Sequence, residues 1–397
     1  MRHQSSWTTE KRHVEPRVAA QPGQLRLQFV ASTEGGPGWD AARLAPHVGR
    51  RGWKVSELWL PPDGVPVFVA LRAWRGSRVQ RRQADIVHVE LGKLDLACFW
   101  YALLAALAGA RVSVTGHDAP EIILHPAAGL IPLRPRVLST LAYRVLCPLF
   151  DRPLVWTLNR LLSTGVVLSD GAVERWRRAG GPRLVGVMPH GAEPRGPQGP
   201  PSEGEGVLMA GFLGPGKGVD VLLAAWSEVA PTAPLPLWIM GSTTDGTGSG
   251  WLRELQSKSA AQPNAPVWLG SVSDDEWRER FRRAAIVVLP YRVSNPASGP
   301  LVKAMVEGRA IIISRVVAAD DLIADGETGV LVAPEDSEEL ACALSLLLED
   351  LSLRDRLGDA AGRAAADRFT WAGHAAGLDQ ALRTAIARTP RRRCHLR

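Results

Sequence analysis

Residues 285–314 read AIVVLPYRVSNPASGPLVKAMVEGRAIIIS and hold a complete strand, loop, helix and strand. Ile286-Val287-Val288-Leu289 is a short apolar run, rich in β-branched residues, of the kind that forms a strand buried on both faces. Pro290 ends it, and a polar loop, Arg292–Ser298, follows. Ser298-Gly299-Pro300 then marks a helix start, because proline suits the first turn, where its missing N–H would have no partner. Leu301, Val302, Met305 and Val306 recur at helical spacing, Gly308 stops the helix, and Ile311-Ile312-Ile313 forms a second buried strand. In such a unit the loop and the helix N-terminus face one crevice. Free N–H groups and positive dipole there suit a phosphate or a sugar hydroxyl.

The same alternation runs outward on both sides. Ahead of this unit lie strands at Val207–Met209, Leu235–Met240 and Pro266–Leu269, with helices at Gly218–Val229 and Asp274–Ala284. Behind it come a helix around Ala319–Ile323, Asp325-Gly326-Glu327-Thr328-Gly329, a strand at Val330–Val332 and a long helix from Ser337. Ala192–Gly206 (AEPRGPQGPPSEGEG) is dense in Pro, Gly and Glu and reads as a linker. Before it the rhythm occurs a first time. Leu25–Ala31 is a strand, Ser32–Trp39 (STEGGPGW) a glycine-rich turn, and a helix runs through Leu44 and Val48 to a strand around Val55–Leu60. Ala84–Gly92 (ADIVHVELG), Arg111–Gly116, Gly165–Leu168 and Leu184–Val187 add further strands. The expectation is α/β with two Rossmann-like domains, 25–191 and 207–369, facing a central cleft at the C-terminal ends of their strands.

Composition sets limits on this reading. A chain of 397 residues exceeds one ordinary α/β core, and 46% apolar content marks a globular protein. The net charge of +7 suits an anionic partner: nucleic acid, membrane surface or phosphorylated substrate. Residues 1–24 and 388–397 read as loose tails, the second basic, and the first lacks the apolar core of a secretory signal. Cys98, Cys147, Cys342 and Cys394 are scattered without a CxxC pair, which speaks for a reduced, cytoplasmic setting. Leu96–Ala110 is apolar but too short to span a bilayer. Ala127–Leu162 mixes apolar residues with Arg134, Arg136, Arg144, Arg152 and Arg160. These are either solvated arginines or a surface for anionic lipid at the inner face of a membrane.

Several residue groups carry chemistry. Gly211-Phe212-Leu213-Gly214-Pro215-Gly216-Lys217-Gly218 is a glycine-rich turn with a single lysine before a helix, either a phosphate contact or a solvated helix-start lysine. His117-Asp118 follows a strand and faces the crevice. His88 and Glu90 end another strand and either contact a ligand or form a buried pair holding the loops. Gly35, Gly36 and Gly38 let a ligand approach the backbone closely, and Trp39 can stack on a sugar ring. No GxGxxG, HExxH, nucleophile elbow or complete Walker loop occurs, so neither a dinucleotide cofactor nor a metal is implied.

In order along the chain, these patterns resemble the family-4 retaining glycosyltransferases of GT-B fold, from about Leu25 to Leu382 and most closely from Gly206 to Trp371. The carriers are the Gly211–Gly218 loop, Ser298-Gly299-Pro300-Leu301-Val302-Lys303-Ala304-Met305, Asp325–Gly329, Arg368-Phe369-Thr370-Trp371, His117-Asp118 and Pro189-His190-Gly191. The resemblance implies that Lys217 stabilises the leaving diphosphate and that His117 meets the donor sugar. It places Gly211, Gly216, Gly218, Ser298 and Gly299 around the donor. Read from the residues themselves, Gly35, Gly36, Trp39, His88 and Glu90 are the candidates for contact with the acceptor. The resemblance also implies a helix at 370–387 that crosses back to the first domain.

The chain departs from the family at three places. Phe212 stands where the family has an arginine, and Arg292 or Lys303 is the substitute the sequence offers. The paired glutamates spaced E-x7-E read Asn295 and Lys303. A lysine cannot accept a hydrogen bond from a ribose hydroxyl, whereas Asn295 can still bond a sugar hydroxyl. Glu307, one turn beyond Lys303, either pairs with it and takes over part of the role or is an ordinary surface residue. The chain is therefore expected to transfer a sugar, with retention, from a nucleotide diphosphate sugar to a small-molecule, glycan or lipid-linked acceptor. Neither cofactor nor nucleic acid enters. The alternatives are a non-catalytic GT-B binding protein, which Asn295 and Lys303 favour, and a nucleotide-sugar epimerase.

Overall fold

A computed structural model describes residues 24–33, 35–127, 147–193, 196, 199–243, 249–293, 298–316 and 322–388. The tails apart from Gln24 and Arg388, Arg134, Arg136, Arg144, Asn295 and most of the expected helix at 319–323 lie outside them.

The first domain runs β1 (Arg26–Ser32), α1 (Gly35–Arg50), β2 (Lys54–Leu60), α2 (Pro66–Gly76), α3 (Arg78–Gln83), β3 (Ile86–Leu91), α4 (Leu96–Leu107), β4 (Val112–Gly116), α5 (Cys147–Leu161), β5 (Thr164–Val167), α6 (Asp170–Arg178) and β6 (Val185–Val187). The second runs β7 (Gly206–Ala210), α7 (Val219–Val229), β8 (Leu237–Met240), α8 (Ser249–Ser259), β9 (Val267–Gly270), α9 (Asp274–Arg283), β10 (Ala284–Leu289), α10 (Gly299–Val306), β11 (Ala310–Ser314), β12 (Val330–Val332), α11 (Ser337–Glu349) and α12 (Leu351–Ala366). A final helix, α13, spans Trp371–Arg388. Both sheets are six-stranded and parallel, ordered β2-β1-β3-β4-β5-β6 and β12-β11-β10-β7-β8-β9.

The apolar strand runs follow from burial on both faces. Ile286 and Val288 pack with α7 and α11, while Val287 and Leu289 pack with α9 and α10. In the first sheet Val87, Val89 and Leu91 meet α4, and Ile86 joins Leu27 and Phe29 beneath α1 and α13. In each sheet the connections reverse direction beside the first strand, between β1 and β3 and between β7 and β10. The crevice at such a reversal is where doubly wound sheets bind ligands.

Two devices tie the halves together. Arg309, buried, donates to the carbonyls of Gly199, Arg282, Ala284 and Glu307 and fastens the linker to the second sheet. From the second domain α13 crosses to the first, burying Trp371, Leu378 and Leu382 against Leu27, Phe29 and Leu44. Asp379 on it accepts from Trp53 Nε1 at 2.7 Å, Arg51 Nε at 3.1 Å and Arg383 Nε at 2.6 Å. Gly191 and Gly377 leave no room for a Cβ where the chain and this helix cross, because Trp371 and the Val187 carbonyl occupy the space.

Candidate active site

On the first domain's side, β3 and β4 pair with His88 opposite Ser113 and Glu90 opposite Thr115. All four are buried. His88 gives one ring nitrogen to Ser113 Oγ (3.1 Å) and the other to Glu90 Oε1 (2.8 Å), and Thr115 Oγ1 donates to Glu90 at 3.2 Å. Glu90 Oε2 lies 2.7 Å from Nε2 of His117, which follows β4. Burial alone would raise the Glu90 carboxyl. The hydrogen bonds from His117 and His88 outweigh it and hold the group well below the usual carboxylate range. Burial would likewise lower His117, but the hydrogen bond and charge of Glu90, with Asp40 and Asp118, raise it to about 9. His117 is therefore an imidazolium at neutral pH. Its Nδ1 points toward the cleft, 3.9 Å from Asp40 Oδ2, and the same carboxylate oxygen lies 3.6 Å from His190 Nε2.

The loop after β1 is held low over the strand ends. A Cβ on Gly38 would sit 2.3 Å from the Ser32 carbonyl oxygen, and one on Gly92 would sit 2.8 Å from Pro37. Helix α1 thus starts at Gly35, within the expected turn, and carries Asp40 into the cleft. Gly35 takes a left-handed φ of 82°, and Gly36 has open space beside it. Asp95, beside this array, accepts from the Gly92 N–H at 2.8 Å, and burial pushes its carboxyl up to about 6.

On the second domain's side, the loop after β7 ends in a short 3₁₀ turn, Pro215–Lys217, and Gly218 in the left-handed region. A Cβ on Gly218 would meet the Pro290 carbonyl oxygen at 1.9 Å, so only glycine lets the loop lie against the end of β10. Gly211 has φ 131°, and a Cβ on Gly216 would touch Val293. Lys217 Nζ rests 4.1 Å from the centre of the Tyr291 ring. Burial, reinforced by the charge of Lys93 and opposed by that of Asp118, pulls its ammonium down to about 8. Both influences come from strand ends of the other domain, so Lys217 faces them across the cleft.

The helix after β10 begins with its own cap. Ser298 Oγ accepts from the Leu301 N–H at 3.2 Å and contacts the Tyr291 hydroxyl at 3.0 Å. Pro300 has no N–H. The Gly299 N–H is left as the donor at that end with no protein partner among the described residues, near His190 of the first domain.

Four expectations change. His88 is fully buried with both ring nitrogens bonded to protein, so it supports Glu90 and His117 and touches no acceptor; Glu90, equally buried, acts through His117. Ser298 spends its hydroxyl on the cap and reaches a donor only through the turn it fixes. Arg292 cannot replace the arginine missing at Phe212. Its guanidinium is taken by Asp220 (2.7 Å), Glu335 (2.7 Å) and the Pro215 carbonyl (2.8 Å), bracing the lysine loop from behind. Lys303 and Glu307 form an ion pair at 2.5 Å, and Glu307 is buried, not a surface residue. The pair lines a cavity of about 770 Å³ with Glu193 and Arg280 that neither Lys217 nor His117 lines, and this places Glu307 away from the lysine loop.

Trp39 is exposed and stacks on Arg43 (4.1 Å), which also reaches Asp274 of the other domain at 3.2 Å. Asn295 lies outside the described residues. The sequence reading missed Asp40, Tyr291 and the support beneath His117. For the last a signal existed: His88 and Glu90, then Ser113, Thr115 and His117, alternate on one face of two neighbouring buried strands. Among the described residues no group of three or more His, Cys, Asp and Glu side chains is placed to hold a metal. No helix there is long and apolar enough to cross a membrane.

The profile of the family described as glycosyl transferases group 1 matches residues 204–350. The phosphatidyl-myo-inositol mannosyltransferase of Mycolicibacterium smegmatis is 32% identical over 156 residues, 39% of this chain and 39% of that enzyme. The MMP alpha-(1->4)-mannosyltransferase of Mycolicibacterium hassiacum is 33% identical over 150 residues, 34% of this chain and 36% of its own. The matches thus span less than two fifths of either relative's length. Among solved structures, Anabaena HepE in complex with UDP and glucose superposes with a TM-score of 0.70 at 16% identity, covering 91% of this chain and 100% of that one. Sucrose-phosphate synthase of Thermosynechococcus elongatus gives 0.71 at 15%, covering 92% and 100%. The architecture is that of the GT-B glycosyltransferases, two Rossmann-like domains facing a cleft.

Proposed function

Because residues 204–350 belong to the glycosyl transferases group 1 family, we propose that the whole chain is a glycosyltransferase. It moves a sugar from a nucleotide diphosphate sugar to an acceptor hydroxyl with retention of configuration. The observation that carries this is the pair of cationic groups at facing strand ends, Lys217 after β7 on the second domain and the Glu90-backed imidazolium of His117 after β4 on the first. Leaving of a diphosphate develops negative charge, and fixed cations aimed at it lower the barrier without reorganising at the moment of reaction. The relatives named above, which are mannosyltransferases, support sugar transfer as the reaction class.

In the proposed reaction the diphosphate lies on the Gly214–Gly218 loop with Lys217 against it, and the Gly299 N–H adds a neutral donor. His117 donates from Nδ1 to a hydroxyl of the sugar or to an oxygen of the departing diphosphate. The acceptor hydroxyl attacks from the face the diphosphate leaves, and a leaving-group oxygen takes its proton, so the protein needs no nucleophile. Asp40, between two imidazoles, keeps His117 turned toward the cleft.

A second reading, a sugar-binding protein without turnover, draws on the exposed Phe212, the fully engaged Arg292 and the Lys303–Glu307 pair. Incubation with UDP-glucose, UDP-galactose, UDP-N-acetylglucosamine and GDP-mannose separates the two. Release of nucleotide diphosphate, with the α-anomer of the sugar appearing first by NMR, is the expected result. Binding of one of these donors without release over long incubation would leave the second reading standing.

A further inference from the structure

Helix α5 presents an apolar row on a basic face, and we propose that this face docks the protein on an anionic lipid bilayer, with one rim of the cleft against the headgroups. The inner side of α5 is ordinary core: Leu154, Val155 and Leu158 pack on α4. Its outer side is not. Leu149 is 65% exposed, Phe150 55% and Trp156 56%. Scattered single apolar residues are normal on a surface, but these three fall together on one helix face with Pro153.

Charge selects the partner. Arg152 and Arg160 are exposed on the same face, and the Arg160 guanidinium lies 5.2 Å from the centre of the Trp156 ring. A tryptophan flanked by arginine suits the headgroup level, where the ring meets the acyl boundary and the guanidinium meets phosphate. The one carboxylate of the helix, Asp151, is turned aside; it accepts from the Ala127 N–H at 2.9 Å and lies 3.0 Å from His125 Nδ1. Helices α2 and α3, in the same layer through α4, add Arg72, Arg75 and Arg78, and residues 66–83 hold no carboxylate. Fifteen residues lying in the interface plane match an amphipathic helix that rests on a membrane.

The row also leads to the cleft. Asp151 ties α5 to the segment 125–127, and just before that segment the Leu124 N–H donates to the Lys93 carbonyl at 2.8 Å. Leu94, 61% exposed, and Leu124, 39% exposed, therefore sit beside the ends of β3 and β4, next to His117. Docked on α5, the protein lays this rim of the cleft on the membrane surface. This inference holds whether or not the chain transfers a sugar.

Sedimentation of the full chain with unilamellar vesicles tests it. The chain should pellet with phosphatidylcholine–phosphatidylglycerol vesicles and about tenfold or more weakly with phosphatidylcholine alone, an affinity that salt lowers. Arg152→Glu with Arg160→Glu, and separately Leu149→Gln with Phe150→Gln and Trp156→Gln, should each cut binding to the anionic vesicles by about tenfold. Arg356→Glu on the far domain should leave binding unchanged, and nucleotide diphosphate release should persist in every variant if the wild type shows it. Equal binding to both vesicle types, or no loss in either variant, overturns the proposal. So does a glutamine variant that keeps vesicle binding while its Tm falls or its mass in solution drops below that of the wild type, since the face would then be covered by the chain itself or by a second copy.

Discussion

Glu90→Gln should strip His117 of its charge at neutral pH while leaving the fold in place. Glutamine has the same shape, and its carbonyl oxygen can still accept from Thr115. Its amide can donate to a neutral His117 Nε2, which moves the ring proton to Nδ1. What disappears is the buried carboxylate that raises His117 from 6.5 to about 9. A rise of this size corresponds to about 3 kcal/mol of preference for the imidazolium. Without it, burial takes over and the ring titrates below 6.5. The signs for stability follow. His117 is raised, so its contribution is complete below pH 6.5 and fades as pH climbs toward 9; Glu90 is lowered, so its contribution is complete above 4.5 and fades in acid. The wild-type pair thus stabilises most between about pH 4.5 and 6.5, and the variant should lose roughly 3 kcal/mol there and less near pH 9. Imidazole NMR titration reads the ring directly, and urea unfolding at pH 6 and pH 9 reads the stability. On the proposed function the rate at pH 7 should drop by about a hundredfold. A ring that still titrates near 9 in the variant would refute the assignment of Glu90 as its cause.

Three further outcomes are expected. Lys217→Ala should lower kcat/KM by a factor worth roughly 2–4 kcal/mol in a protein of unchanged Tm, whereas Lys217→Arg, which stays charged, should move an alkaline limb near pH 8 upward; a folded alanine variant of normal kcat/KM ends that role. Lys303→Glu places two carboxylates together, one of them buried, and should cost about 3–5 kcal/mol in urea unfolding; the exchange Lys303→Glu with Glu307→Lys should recover most of it, and no recovery would mean the pair is not the stabilising contact. His374, pressed down to about 4 first by burial and then by the charge of His190, stays neutral in the fold while the unfolded ring titrates near 6.5; stability should fall as pH drops from 6.5 toward 4, by up to about 3 kcal/mol, and His374→Gln should flatten that slope in a pH series of thermal melts.

The fold was legible because strands buried on both faces leave uninterrupted apolar runs, and Ile286–Leu289 and Ile311–Ile313 are such runs. Glycines forced by close approach were legible as well. Gly218 has no alternative beneath the Pro290 carbonyl, and a lone lysine beside such a turn stands out. What a sequence does not carry is pairing over distance. Arg292 looks like a free cation in a loop, yet it is consumed by Asp220 and Glu335, 72 and 43 residues away. His88 and Glu90 read equally well as ligand contacts or as buried supports, since alternation along a strand gives a face but not which layer covers that face. Asp40 was hidden by the glycine-rich turn, which reads as loop where helix α1 has already begun.

The placement of the cations argues for chemistry that depends on domain apposition. Lys217 is fixed from its own domain by Tyr291 beneath and by Arg292 behind the loop, so its position survives opening of the cleft. His117 is fixed just as firmly in the other domain through Glu90, His88 and Thr115. Few groups span the gap, chiefly Arg43 to Asp274, the electrostatic influence of Lys93 and Asp118 on Lys217, and Gly299 beside His190. Each half thus holds one rigid cation, and neither half alone can compensate the charge of a departing diphosphate. On the proposed function, binding the nucleotide sugar draws the two together, and the barrier falls only when both face the same bond. Such an arrangement confines cleavage of the donor, whether the acceptor is a hydroxyl or water, to the closed state, because the second cation arrives only there. It also accounts for a site that tolerates phenylalanine at position 212: the positive charge absent from one wall of the cleft is supplied from the opposite wall.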